Sequence, residues 1–216
     1  MSKIEMLTPD NSAIALIDYQ PAMYQAVQSH DRLVPFNNVQ VLAKTAKLFK
    51  IPAVISTIAE KSFSGPFMPE VIELFPNHKV IDRTSMNSWL DAAFRKAVAA
   101  TGRKKFVLAG LWTEACVMFP TLDMSKEGYE IYIVADACGD LSLEAHNRAM
   151  ERSVQAGAVP ITSFQYLFEL QQDWARTETY EGAMNILREH SPYGIQVRFS
   201  KWALGEHASE AGTKAR

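Results

Sequence analysis

Lys105-Phe-Val-Leu-Ala-Gly-Leu-Trp-Thr-Glu-Ala-Cys116-Val-Met-Phe-Pro-Thr-Leu-Asp-Met124 changes its pattern partway along. From Lys105 to Leu111 it is continuously apolar, as expected of a strand buried on both faces of a sheet. From Cys116 it turns amphipathic and reads as a helix running to Lys126. A thiol therefore stands at a strand-to-helix junction. The unpaired N–H groups and dipole of a helix start favour a thiolate. The same N–H groups suit an oxyanion that develops on a substrate carbonyl.

The alternation extends in both directions. Short runs rich in β-branched residues cover Ser12–Asp18, Ile51–Thr57, Lys79–Asp82, Glu130–Asp136 and Ala158–Thr162. Helical patterns begin near Asn38, span Leu90–Ala100 and Cys116–Lys126, and end with Leu143–Ala156. Gly102, Gly128 and Gly157 sit just past three of these helices, where a left-handed cap is expected. Strand, helix, strand in repetition predicts right-handed βαβ units. The fold class is α/β: a three-layer α/β/α sandwich around a six-stranded, mostly parallel, Rossmann-like sheet. Ligands of such sheets bind beyond the carboxyl ends of the strands, where strand order reverses.

The chain has 216 residues, enough for one α/β domain whose core needs no disulfides. A net charge of −2 gives no reason to expect nucleic acid or an anionic membrane as partner. Two cysteines and no signal-like N-terminus predict free thiols in the cytoplasm. We expect one domain over residues 1–175 and a C-terminal extension over 176–216. The region after Gln165 carries Trp174, Tyr180, Leu187, Tyr193, Val197, Phe199, Trp202 and Leu204 among charges. That much apolar surface packs either on its own domain or on a neighbouring subunit. Residues 206–216 are small and charged and are expected to fray.

The strand ends carry the chemistry. Asp18 closes the first run, and it is either an N-cap for a helix starting near Pro21 or a base for a neighbouring thiol. In the second role, partial burial raises its pKa toward a useful range. Arg83 follows the third strand, either as a surface arginine paired with Asp82 or Asp91, or as a fixed cation beside a carboxylate and thiol. Cys138 reads as a small buried hydrophobe, although its strand-end position keeps it a second thiol to consider. His146 falls within a helix and reads as packed or capping. The cysteines form no CxxC pair, no zinc-spaced cluster occurs, and no Walker loop, GxGxxG or GxSxG is present. Tyr19, Phe67, Trp89 and Trp112 are candidates for an apolar pocket, with Gln20, Asn87 and Trp89 as substrate-binding residues.

Ile17-Asp18-Tyr-Gln20, Arg83 with Asn87-Ser-Trp89, Gly110-Leu-Trp-Thr113-Glu-Ala-Cys116-Val-Met-Phe-Pro120 and Val134-Ala-Asp136-Ala resemble the isochorismatase-like cysteine hydrolases. Within that family the chain is most similar to the YcaC-type hydrolases, over roughly residues 10–175. The resemblance implies a catalytic triad of Asp18, Arg83 and Cys116. It also implies an oxyanion turn at Trp112, Thr113 and Ala115, with a non-proline cis peptide just before Thr113. The implied reaction is hydrolysis of an amide-like C–N bond through a thioester. The implied assembly is a homo-oligomer, octameric in YcaC-type members.

Most of the family has lysine where this chain has Arg83, and arginine stabilises charge but relays no proton. Nicotinamidases of the family carry Asp and His metal ligands after the second strand. Ser56-Thr-Ile-Ala-Glu-Lys-Ser-Phe-Ser-Gly65 has no histidine, so no metal and no organic cofactor is expected. Isochorismatases proper need no cysteine nucleophile, and Cys116 argues against that activity. Two further functions remain open: an oligomeric scaffold or small-molecule binder with little turnover, and a thiol-based redox or detoxifying protein.

Overall fold

The computed structural model describes residues 5–205. They divide between Gln172 and Asp173 into two compact units.

The first unit is built on six parallel strands: β1 (Ser12–Ile17), β2 (Ala53–Ile58), β3 (Ile81–Arg83), β4 (Lys105–Gly110), β5 (Glu130–Val134) and β6 (Val159–Ile161). Their order across the sheet is β3-β2-β1-β4-β5-β6. Every residue of β1 and β4 is buried, which is why their sequences run apolar without alternation. The two pair from Ser12↔Lys105 through Ile17↔Gly110. At the last rung a Cβ on Gly110 would stand 2.6 Å from the Ile17 carbonyl oxygen, so only glycine lets the strands meet there. Chain order reverses between these same strands, and the crevice opens at their carboxyl ends.

The unit's helices are α1 (Pro21–Gln25), α2 (Leu33–Leu48), α3 (Pro69–Ile72), α4 (Ala92–Ala100), α5 (Met118–Lys126), α6 (Leu143–Gln155) and α7 (Ser163–Gln171). α2 packs on α3 and α7, whereas α5 packs on α6 and α4 lies against β2. With right-handed crossovers these helices form the two outer layers. Asp91, Ser142 and Thr162 cap α4, α6 and α7 through their side chains. Gly102, Gly128 and Gly157 take positive φ values of 67°, 82° and 96°.

Two boundaries differ from the sequence reading. α2 begins at Leu33 rather than near Asn38, because Pro35 falls in its first turn, where no backbone donor is needed. Regular α-helix begins at Met118 rather than Cys116, after a wider turn over Thr113–Val117. Pro120 explains the delay: it has no N–H to give to the Cys116 carbonyl.

The second unit holds α8 (Thr177–His190) and α9 (Pro192–Leu204), which pack on each other. Gly194 lies so close to the Arg188 carbonyl that no side chain fits. Along α9, Ile195, Phe199 and Trp202 are 71%, 63% and 80% exposed and share one face by their spacing. The frayed end expected over 206–216 lies outside the described residues. No described helix is long and apolar enough to cross a membrane.

Candidate active site

At the end of β1, Asp18 takes a left-handed conformation with φ of 60°. Its N–H donates to the Ser56 carbonyl at 2.9 Å, and its carbonyl accepts from the Gln20 N–H at 2.8 Å. Arg83 closes β3, two strands away. Its Nη2 donates to Asp18 Oδ2 at 2.8 Å, with the two side chains 1% and 0% exposed. The capping reading of Asp18 gives way to this pair, since α1 has no side-chain cap. The surface reading of Arg83 gives way as well. Asp82 instead accepts from Thr57 Oγ1 and the Glu60 N–H, and Asp91 accepts from the Phe94 N–H.

Cys116 is the third member of the group. It is 3% exposed, and its thiol is close enough to Asp18 for each to shift the other's ionisation, while Asp18 Oδ1 is buried without a hydrogen-bond partner among the described residues. Burial raises the Asp18 carboxyl from 3.8 to about 6, while the Arg83 charge, the adjacent Cys116 thiol and the hydrogen bond from Arg83 oppose the rise. Asp18 is therefore mostly ionised at neutral pH, yet close enough to neutrality to take a proton.

The thiol departs from expectation. Burial first, and the adjacent Asp18 charge second, push it well above the ordinary 9.0. Burial outweighs the helix-start effect, and the N–H groups of the turn are in addition already committed. Thr113 N–H donates to the Gly139 carbonyl at 3.1 Å, and Glu114 N–H to Asp140 Oδ2 at 2.7 Å. Ala115 and Cys116 N–H both donate to the Trp112 carbonyl, at 3.3 and 2.9 Å. The resting state is thus a thiol beside a carboxylate, not a free thiolate.

A non-proline cis peptide is present, but it joins Leu111 to Trp112, one residue earlier than expected. Thr113 is tied to Gly139 through both its N–H and its hydroxyl, so the reversal of the chain precedes it. The N–H carried by this peptide, that of Trp112, favours the ionised form of the Cys116 sulfur, against the larger effect of burial. Of the oxyanion candidates, Thr113 and Ala115 have backbone N–H groups that already donate to the Gly139 and Trp112 carbonyls.

The three substrate-binding candidates hold structure together. The Gln20 amide donates to the Ile58 and Gly65 carbonyls and accepts from the Ile58 N–H, pinning the segment after β2. Asn87 accepts from the Trp89 N–H and donates to Asp123 at 2.7 Å. Trp89 donates its ring N–H to Glu127 at 2.7 Å. Asp123 in α5 and Glu127 at its C-cap lie about two and three turns beyond Cys116. Tyr19 and Phe67 line an apolar cavity of about 400 Å³ with Tyr24, Phe36 and Met68, but Cys116 is not among its walls. Trp112 donates its ring N–H to the Met23 carbonyl. Cys138 is fully buried, with its thiol pushed up to about 12 by burial.

Two residues gain weight from the structure. Asp140, in the loop after β5, is fully buried and binds the Glu114 N–H. His146, on α6, lies 2.9 Å from Thr113 Oγ1 through Nδ1. Nothing local in Cys138-Gly-Asp140 distinguishes that aspartate from an ordinary loop residue.

Among the described residues, no group of three or more His, Cys, Asp or Glu side chains is gathered to hold a metal ion. Residues 12–165 match the isochorismatase domain family. The probable hydrolase YcaC of Escherichia coli is 35% identical over 187 residues, covering 86% of this chain and 89% of that protein. A crystal structure of Escherichia coli YcaC, described as an octameric hydrolase of unknown specificity, superimposes with a TM-score of 0.88 at 33% identity, over 94% of this chain and 100% of that one. YcaC from Pseudomonas aeruginosa, solved with hexane-2,5-diol and covalent acrylamide, gives 0.87 at 33% identity, over 93% and 98%. Six parallel strands in this order, a domain match across most of the chain and likeness to YcaC from end to end lead to one conclusion: the protein is a YcaC-like hydrolase and belongs to the isochorismatase family.

Proposed function

We propose that this hydrolase cleaves a small amide-like C–N bond through a thioester on Cys116. The observation that carries the reading is the buried Asp18–Arg83 pair set against the Cys116 thiol at the strand-order reversal. Asp18, ionised at neutral pH, takes the thiol proton as sulfur attacks the carbonyl carbon. A free thiolate is never required, so the raised thiol pKa is no obstacle. We assign the oxyanion to the Trp112 N–H, since those of Thr113 and Ala115 have other acceptors. Asp18 returns the proton to the leaving nitrogen as the C–N bond breaks. Water then attacks the thioester, gives up a proton to Asp18, and releases the acid and the thiol. Arg83 keeps a fixed positive charge beside Asp18 throughout.

Covalent acrylamide in the Pseudomonas aeruginosa relative supports the reading, since acrylamide combines a primary amide with an acceptor for soft nucleophiles. We also propose a cytoplasmic homo-oligomer. The octameric relative and the exposed Ile195, Phe199 and Trp202 support the assembly, and two free cysteines suit a reducing compartment.

A scaffold with little turnover has one observation in its favour, the burial of Cys116 as a neutral thiol. A screen of small amides and nitriles for ammonia release separates the readings. Turnover should appear with wild type and vanish in Cys116→Ala. Equal ammonia release by Cys116→Ala would remove the thioester mechanism, and silence across the panel would favour the scaffold.

A further inference from the structure

A second buried polar cluster adjoins the Thr113–Val117 turn. Asp140 Oδ2 accepts the Glu114 N–H at 2.7 Å, and Oδ1 accepts the Leu141 N–H at 2.8 Å. The Asp140 N–H donates to Ser29 Oγ at 2.8 Å, and its carbonyl accepts from the N–H groups of Gln28 and Ser29. One residue thus ties the loop between α1 and α2, the loop after β5 and the turn that carries Cys116. Ser29 Oγ meets His30 Nδ1 at 2.8 Å. The His30 ring stacks edge-on against His146 with centroids 4.7 Å apart, and His146 Nδ1 meets Thr113 Oγ1. The circuit therefore returns to the same turn, one residue before Glu114.

We infer that Asp140 is a positioning residue for the nucleophile, its carboxylate fixing the turn so that the Cys116 sulfur stays beside Asp18. The inference rests on Cys116 being the nucleophile and Asp18 its base. A carboxylate at the first N–H groups of a helical segment both satisfies a donor and opposes the dipole's positive end. Asparagine cannot replace it. Its single acceptor serves one of the Glu114 and Leu141 N–H groups and turns an NH₂ against the other.

The charged and titratable groups around this cluster are Glu114, Asp136, Cys138, His30 and His146. Burial lowers both histidines, His146 to about 4, so they are neutral above pH 7. Burial raises Asp140 to about 6, which overlaps Asp18, so the test must separate the two carboxyls.

The experiment is the rate of iodoacetamide labelling at Cys116 and Cys138 from pH 5 to 9, in the full chain. Wild type should show a step near pH 6 at Cys116, and Asp18→Asn should lack it. Asp140→Asn should lower the plateau above the step at least tenfold at Cys116, whereas Cys138, whose thiol the Asp140 charge helps to raise, should label no more slowly than in wild type. Ser29→Ala, which removes the acceptor of the Asp140 N–H, should act in the same direction more weakly and serves if Asp140→Asn does not fold. Ser142→Ala, which uncaps α6, should lower melting temperature and leave the step intact. An Asp140→Asn plateau equal to wild type, with only a lower melting temperature, would make Asp140 merely structural. A step that survives in Asp18→Asn and disappears in Asp140→Asn would assign it to Asp140 and also overturn the inference. No step in wild type would instead remove the Cys116–Asp18 reading beneath it.

Discussion

Asp18→Asn should make the protein less reactive and, as pH rises, relatively more stable. Asp18 is fully buried with a carboxyl raised from 3.8 to about 6. Between those values the folded state keeps a proton that the unfolded state has released. Its stabilising contribution is complete below 3.8 and is lost as pH rises through about 6. The whole shift corresponds to about 3 kcal/mol, of which ~1.4 kcal/mol falls between pH 5 and pH 8. Asparagine is uncharged throughout and matches the protonated form, so the stability of Asp18→Asn minus wild type should grow by ~1.4 kcal/mol over that range. Asp140 also titrates near 6, but it is present in both proteins and cancels.

Urea unfolding at pH 5 and pH 8 reads this difference, and Cys116 alkylation at pH 7.5 reads the chemistry. Removing the Asp18 charge eases thiol ionisation, yet burial is the larger influence on Cys116 and keeps it above 9.0. Loss of the base should therefore dominate, with labelling slowed about 10²-fold or more. A stability difference that is flat or shrinks from pH 5 to pH 8 would refute the assignment of a raised carboxyl to Asp18. Faster labelling in the variant would show that Asp18 restrains the thiol rather than serving it.

Arg83→Lys keeps the cation and should retain the labelling step. Arg83→Met removes the largest influence lowering the Asp18 carboxyl, so the step should move above pH 6. Its stability should fall by about 3–5 kcal/mol at pH 8 and by less at pH 5, where Asp18 is protonated. Unfolding curves at both pH values check this. Gly110→Ala forces a Cβ to within 2.6 Å of the Ile17 carbonyl oxygen, in backbone that cannot yield cheaply. A loss of about 1–3 kcal/mol is expected in chemical denaturation, and a neutral result would mean β1 and β4 are less tightly joined than described.

The sheet was legible because parallel strands buried on both faces must be apolar throughout, and β1 and β4 are buried at every position. Strand ends then pointed to Asp18, Arg83 and Cys116, which the fold gathers. What the sequence could not convey was burial. Cys116 at a helix start suggests a thiolate, and only the packed structure shows desolvation outweighing the dipole. Gln20, Asn87 and Trp89 looked available because polar groups near a site look alike until their hydrogen bonds are known. Asp140 gives no sign in the sequence for the opposite reason: its Oδ2 serves the Glu114 backbone donor 26 positions away, which leaves no side-chain signature.

The sheet order also bears on how the protein comes to be active. Asp18 and Arg83 lie 65 positions apart, and Cys116 is contributed by a strand beyond both. Parallel pairings of this span are late, slow events in folding, because the intervening chain must be closed first. No fragment that ends before β4 contains the thiol, and no intermediate with β1 and β4 apart sets it beside its base. During synthesis the chain therefore carries ordinary cysteines until the two halves of the sheet join. The moment at which Cys116 labelling departs from the rate of an ordinary exposed cysteine in a refolding time course then marks the closure of that β1–β4 seam.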